Sequence, residues 1–63
     1  MSNIERDSLV RFKRVLNARG YPATGSVIEV KDGLAKIEVF GLHGPGSTTM
    51  VHDVPVDDIE TLD

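Results

Sequence analysis

The chain has 63 residues, no cysteine, and ten carboxylates against seven lysine and arginine side chains. This length predicts a single domain over residues 1–63, and the absence of cysteine excludes disulfides. A structural zinc site is also disfavoured, because histidine would supply the only nitrogen ligands and no thiolate is present. Chains this short bury only about 60% of their unfolded surface, so self-association is the most available source of extra stability.

Targeting signals are not apparent in the residues given. The first residues contain no apolar run typical of a signal peptide, and no window approaches the roughly 18 apolar residues of a membrane helix. Lack of cysteine fits a reducing compartment. We therefore expect a cytoplasmic protein without a membrane partner.

The first segment predicts a helix over about residues 3–19. Ser2 and Glu5 have the spacing of a capping box, and Gly20 followed by Tyr21-Pro22 is typical of a helix end. Apolar residues recur at helical spacing and fall within one arc of the predicted helix, namely Ile4, Leu9, Phe12, Val15 and Leu16.

The second segment predicts a β-hairpin over about residues 24–40, with its turn at Asp32-Gly33. This pair tolerates the positive φ angles of a type I′ turn. A two-residue loop places Glu29 opposite Lys36, a favourable cross-strand pair of charges. The same register pairs the residues of one apolar face, namely Val30 with Ala35, Ile28 with Ile37, and Ser26 with Val39.

The last third predicts a loop, a third strand and a closing element over about residues 47–62. The loop, residues 41–46, is rich in glycine. The strand, residues 47–54, contains many β-branched residues, and its alternation leaves open which side chains face inward. Pro55 marks the strand end or a sheet edge. The fold class we expect is therefore α+β, a helix packed on a small antiparallel sheet of three to four strands.

Two stretches resemble the Src-homology-type small β-barrel, the SH3-like superfamily. In the run Val54 to Leu62, a strand ending at a proline precedes one 3₁₀ turn and an aliphatic-x-x-aliphatic strand, as at the end of such barrels. The Gly25-x-Val27-x-x-Val30 run is similar to the entry into a strand of small barrels in ribosomal and transcription proteins. The resemblance implies a partly open barrel and no particular function. Proline-peptide binding is not carried over, because the aromatic residues that would line its groove are few.

Positive and negative charges are distributed unevenly along the chain. Residues 1–19 hold five cations against two carboxylates, whereas residues 20–63 hold two cations against eight. On the predicted helix, Arg6, Lys13 and Arg14 lie away from the apolar arc, and they are the cations we select for partner contact. Phosphate contacts by this helix would make the protein a nucleic-acid-associated regulator, but the acidic pI and scarce aromatic residues disfavour that alternative.

Few residues are candidates for catalysis or for binding a metal ion or phosphate. His43 and His52 could approach each other beside Asp53, but a metal or proton-transfer site needs a further convergent group and a pocket. The loop Gly41–Gly46 lacks the lysine and following helix of a phosphate cradle. The acidic residues near the C-terminus do not follow the calcium-loop pattern. We find no catalytic constellation and expect no enzyme, no metal and no cofactor.

The favoured function is a small, non-catalytic protein-binding or assembly module, an adaptor that binds a protein partner or forms homo-oligomers. Its candidate contact residues are Arg6, Lys13 and Arg14 on the helix with Leu42, His43 and Pro45 in the loop. Nucleic acid as partner is the alternative. A small-ligand-binding or enzyme accessory subunit, acting through the His43 loop, is the least favoured.

Overall fold

A computed structural model describes residues 4–62, which form one five-stranded antiparallel sheet. The strand order is β4-β3-β2-β1-β5, so β4 and β5 are the edges. No helix long and apolar enough to cross a membrane occurs among these residues. In chain order the elements are β1 (Leu9–Leu16), β2 (Pro22–Lys31), β3 (Leu34–Phe40), β4 (Thr48–Pro55), a 3₁₀ turn (Val56–Asp58) and β5 (Ile59–Thr61).

The α+β prediction is wrong, because the predicted N-terminal helix is strand β1. Residues 10–13 alternate apolar and charged side chains, which is the two-residue period of a half-buried strand. Val10 is 0% exposed and Phe12 is buried beside it, whereas Leu16, which a helix would have buried, is 59% exposed. Pairing with β2 on one side and β5 on the other satisfies the backbone of β1 over its first residues. Tertiary pairing therefore overrides the helical spacing.

The residues before β1 form a turn. The Glu5 N–H donates to Ser8 Oγ at 3.2 Å, the Ser8 N–H donates to the Glu5 carbonyl at 3.1 Å, and Asp7 has a φ of 72°. Glu5 thus belongs to a turn and caps no helix; Ser2, its expected partner, lies outside the described residues. The Asp7 N–H donates to the Val27 carbonyl at 2.7 Å, which ties this turn to β2.

The predicted hairpin is present as β2 and β3. Asp32 and Gly33 have φ angles of 54° and 78°, as a type I′ turn requires. Val30 pairs with Ala35 and Glu29 lies opposite Lys36, so the register near the turn is confirmed.

Beyond the turn the predicted register of the hairpin is wrong by one residue. An irregularity between Val27 and Glu29 displaces Ile28, so that Val27 pairs with Ile37. Gly25, and not Ser26, then pairs with Val39. Val27 is fully buried while Ile28 is exposed, because a one-residue shift exchanges the two faces of a strand.

The core lies on one face of the sheet. Its nine buried residues are Val10, Phe12, Ala23, Val27, Ala35, Ile37, Val39, Val54 and Ile59. Gly25 belongs to the same inward row, and a Cβ there would lie 2.5 Å from the Glu38 carbonyl oxygen and 2.8 Å from Ile37 Cγ2. The strand pair can approach this closely only because position 25 has no side chain.

The C-terminal elements follow the local order that the resemblance implied. Strand β4 ends at Pro55, the 3₁₀ turn follows, and β5 closes against β1. Strand β5 lies next to β1, at the edge of the sheet opposite β4. In β4 the face left open by the sequence is settled by pairing: Thr49 and Val51 lie opposite the buried Val39 and Ile37.

Candidate functional site

The basic residues selected on a helix do not share a face on β1. Arg6 lies in the turn before the strand. Lys13 donates from Nζ to the Asp57 carbonyl at 3.0 Å, whereas Arg14 lines a groove between β1 and β4 together with Phe12. Neighbouring side chains on a strand point to opposite faces, so the predicted recognition face is not formed.

Arg11 forms the one salt bridge within residues 4–62, with Glu60 across the β1–β5 pair. Its Nε donates to Glu60 Oε1 at 2.9 Å, and its Nη2 contacts the same oxygen. The hydrogen bond from Arg11, followed by the charge of the guanidinium, lowers the pKa of Glu60 below its ordinary 4.5. Both side chains are about half exposed, so this pair joins β1 to β5 at the surface.

The three loop residues selected from sequence have different environments. Leu42 is half-buried and packs against the core, which is a structural position. His43 is exposed. Pro45 is exposed and lines a groove at the end of the sheet where β1 turns into β2 and β3 turns into β4.

We call this depression the loop-end groove. It has a volume of about 270 Å³ and lies between two loops, and its lining residues are Asn17, Ala18, Arg19, Phe40, Gly41, Pro45 and Gly46. Phe40 is 38% exposed, although it is paired on both sides, with Thr24 and Thr48. An aromatic side chain on a paired strand thus forms a fixed part of the groove.

Asn17 organises the loop between β1 and β2. Its Oδ1 accepts the backbone N–H groups of Arg19 at 2.9 Å and Tyr21 at 3.1 Å. Its own N–H donates to the Tyr21 carbonyl at 2.8 Å. One side chain therefore closes the loop that carries Arg19 into the groove and leaves Tyr21 65% exposed.

The loop between β3 and β4 is closed by its own hydrogen bonds. The Gly41 N–H donates to the Ser47 carbonyl at 2.8 Å, and the Ser47 N–H and Oγ both donate to the Gly44 carbonyl. The Ala18 N–H donates to the Gly41 carbonyl at 3.2 Å and connects the two loops. Both walls of the loop-end groove are thus held by hydrogen bonds within the chain.

The groove lies in a part of the chain without acidic residues. Residues 15–28 and 39–52 contain no aspartate or glutamate, and Arg19 is their one lysine or arginine. Among the residues that lie side by side with Phe40 across the strands of the sheet, the acidic one is Glu60, and Arg11 neutralises its charge. The local charge at the loop-end groove is therefore positive although the whole chain is acidic.

A second groove separates the end of β1 from β4. It has a volume of about 260 Å³ and an apolar floor that includes Phe12 and Val54. Arg14 of β1, Asp53 of β4 and Asp58 of the 3₁₀ turn also line it. His52 also lines this groove, but residues 4–62 contain no group of three or more acidic or histidine side chains able to hold a metal ion.

Sequence reasoning missed Phe40, Arg19 and Asn17. The Asn-Ala-Arg-Gly-Tyr-Pro run was interpreted as the end of a helix, although an asparagine before a glycine is equally typical of a strand-to-strand loop.

No protein-family model, curated protein or solved structure matches the chain.

Proposed function

We propose that this chain is a small, non-catalytic protein-binding module whose loop-end groove docks a short segment of a partner protein. The observation that carries the proposal is an exposed aromatic ring, Phe40, in a groove between two hydrogen-bonded loops, with Arg19 on the wall. In this proposal the module acts as an adaptor that contacts its partner through the loop-end groove.

Preorganisation supports this function. Association is opposed by the ordering of loops and side chains, and here Asn17 and Ser47 already close both loops. Phe40 is additionally fixed by strand pairing. Aromatic and arginine side chains contribute a large share of the energy of protein interfaces, and this groove combines both.

Charge supports an acidic partner segment. Arg19 is the charged residue among those that line the groove, so an incoming aspartate or glutamate would meet an opposite charge there. The carboxylate of Glu38, two residues before Phe40, is not part of the lining. An apolar side chain of the same segment contacts Phe40 and Pro45. We therefore expect the docked segment to combine at least one carboxylate with one apolar anchor.

The nucleic-acid alternative is not favoured as the function. It depended on a basic helix presenting Arg6, Lys13 and Arg14. Lys13 and Arg14 instead lie on strand β1, and Arg6 lies in the turn before it.

The test is selection of peptides from a random display library on the immobilised chain. We expect enrichment of acidic peptides with an apolar residue, and a loss of their binding of tenfold or more in Phe40→Thr and in Arg19→Gln. Leu62→Thr is the matched control, because Leu62 is a similarly exposed apolar residue on the opposite edge, and its binding should equal that of the parent.

Two outcomes would contradict the proposal. One is an enriched peptide whose binding is weakened equally by Phe40→Thr and by Leu62→Thr, since the groove would then not be its binding site. The other is the absence of enriched peptides together with binding of an oligothymidine that falls steeply with salt, which would indicate phosphate contacts instead.

A further inference from the structure

The two edges of the sheet are unequal. Strand β5 has three residues and is crossed by the Arg11–Glu60 salt bridge. Strand β4 has eight residues and pairs with β3 alone. An edge strand presents unpaired backbone N–H and C=O groups to any further strand, so β4 is the edge that offers them.

The hydrogen bonds of the preceding loop identify which groups of β4 point away from the sheet. The Ser47 carbonyl accepts from the Gly41 N–H on the β3 side. Backbone groups alternate in direction along an antiparallel strand, and Thr49 and Val51 therefore also face β3. The outward backbone groups belong to Thr48, Met50 and His52.

Only the second half of β4 carries features that block a further strand. Asp53 has a φ of 57° and lies where the pairing with β3 is irregular, and Pro55 has no N–H to donate. Bulges, prolines and charges are the devices by which proteins protect sheet edges. Residues 47–51 contain none of them.

We propose that residues 48–52 of β4 pair antiparallel with the same residues of a second copy, with the two-fold axis at Met50. Met50 then faces Met50 of the second copy, and the outward groups of Thr48 bond those of His52. Thr49 lies opposite Val51 on the core side. Because opposite residues are an even number of positions apart, both copies keep the same face toward their cores.

Charge at the paired strands does not oppose a second copy as the occupant. In this register no two like charges face each other: Asp53 lies opposite Ser47 of the second copy, beside the loop 41–47, which contains no carboxylate. Met50 is 42% exposed in the single chain and becomes covered on the axis. A chain of this size also gains more from an added interface than a larger one.

The register can be tested by crosslinking, because the chain has no cysteine of its own. We expect Met50→Cys to form covalent dimers with a short thiol-specific crosslinker. Thr48→Cys is the matched control, since two copies of position 48 would be four residues, or about 13 Å, apart along the strands. Equal crosslinking of both variants, or crosslinking only in a mixture of the two, would overturn the register.

A second measurement tests the pairing itself. We expect the parent to sediment as a dimer at micromolar concentration and Met50→Lys to sediment as the 6.9 kDa monomer, because two lysines would meet on the axis. Leu62→Lys adds the same charge at the other edge and should remain dimeric. A parent that is monomeric throughout the micromolar range would overturn the proposal.

Discussion

The centre of the sheet and its periphery are built by different constraints. In the centre, β2 and β3 are joined by a two-residue turn, and close packing of their backbones leaves no space for a side chain at Gly25. At the periphery, longer loops are closed by single side chains such as Asn17, and the outer side of β4 is unpaired. The difference teaches that the centre determines the fold, while the periphery contains the two surfaces for which we propose partners.

The largest effect should come from Gly25→Ala in the centre. The new methyl group would overlap the Glu38 carbonyl oxygen and Ile37 Cγ2, and overpacking of this kind costs about 1–3 kcal/mol. Ser26→Ala, at the next position but on the other face, is the control. Thermal melting should show a Tm that is lower by roughly 10 °C for Gly25→Ala only, and equal melting of the two variants would show that β2 and β3 are not this close.

A smaller loss is expected from Gly33→Val in the hairpin turn. Gly33 has a φ of 78°, and a β-branched residue in the left-handed region costs about 1–2 kcal/mol. Gly33→Asn should lose much less, because asparagine tolerates this conformation. The free energy of unfolding in urea is the measurement. If valine and asparagine were equally tolerated, the positive φ at this position would be wrong.

At the periphery, Asn17→Ala should cost about 1 kcal/mol, because two backbone N–H groups lose their acceptor. Asn17→Asp keeps an acceptor oxygen and should recover most of the loss. Urea unfolding measures both variants, and backbone NMR shifts should report changes at Arg19 and Tyr21. A loop that is unchanged in Asn17→Ala would remove the argument for a preorganised groove.

The smallest effect concerns the β1–β5 salt bridge. Because Arg11 lowers the pKa of Glu60 in the folded chain, the bridge adds stability above the ordinary pKa of the glutamate and loses it as pH falls through the lowered value. Glu60→Gln removes this contribution, so the difference in melting temperature between parent and variant should shrink on acidification below about pH 5. Glu38→Gln is the control, because Glu38 lies opposite the uncharged Ser26 and Met50. A constant difference for Glu60→Gln would contradict the assignment.

Features decided by local chemistry could be predicted from sequence. Asp32-Gly33 determines the hairpin turn, and Pro55 with the residues after it indicates the end of β4 and the closing turn. The bulge at Ile28 and the strand at β1 depend on which residues meet across the sheet. Val10 and Phe12 become core residues through contact with β2 and β5, and helical spacing within the segment carries no information about those partners.

The candidate site shows the same contrast between features set by local sequence and features set by contacts across the sheet. Pro45 was selected together with Leu42 and His43 as part of the predicted loop, and it lines the loop-end groove. Arg19 and Phe40 are 21 positions apart in the chain and meet there only because β1, β2 and β3 are neighbours. Arg6, Lys13 and Arg14 were selected as a group because a helix would have placed them away from its apolar side. The segment contains strand β1 instead, so the reason for grouping them no longer applies.

Amide hydrogen exchange at two protein concentrations tests most directly whether the periphery, and β4 above all, is the open part of this sheet. We expect the amides of Thr48, Met50 and His52 to exchange rapidly in dilute solution and to become protected in concentrated solution. Those of Thr49 and Val51 should be protected in both, because they bond β3. Uniform exchange along β4, or an alternating pattern that does not change with concentration, would contradict the open edge or its pairing with a second copy.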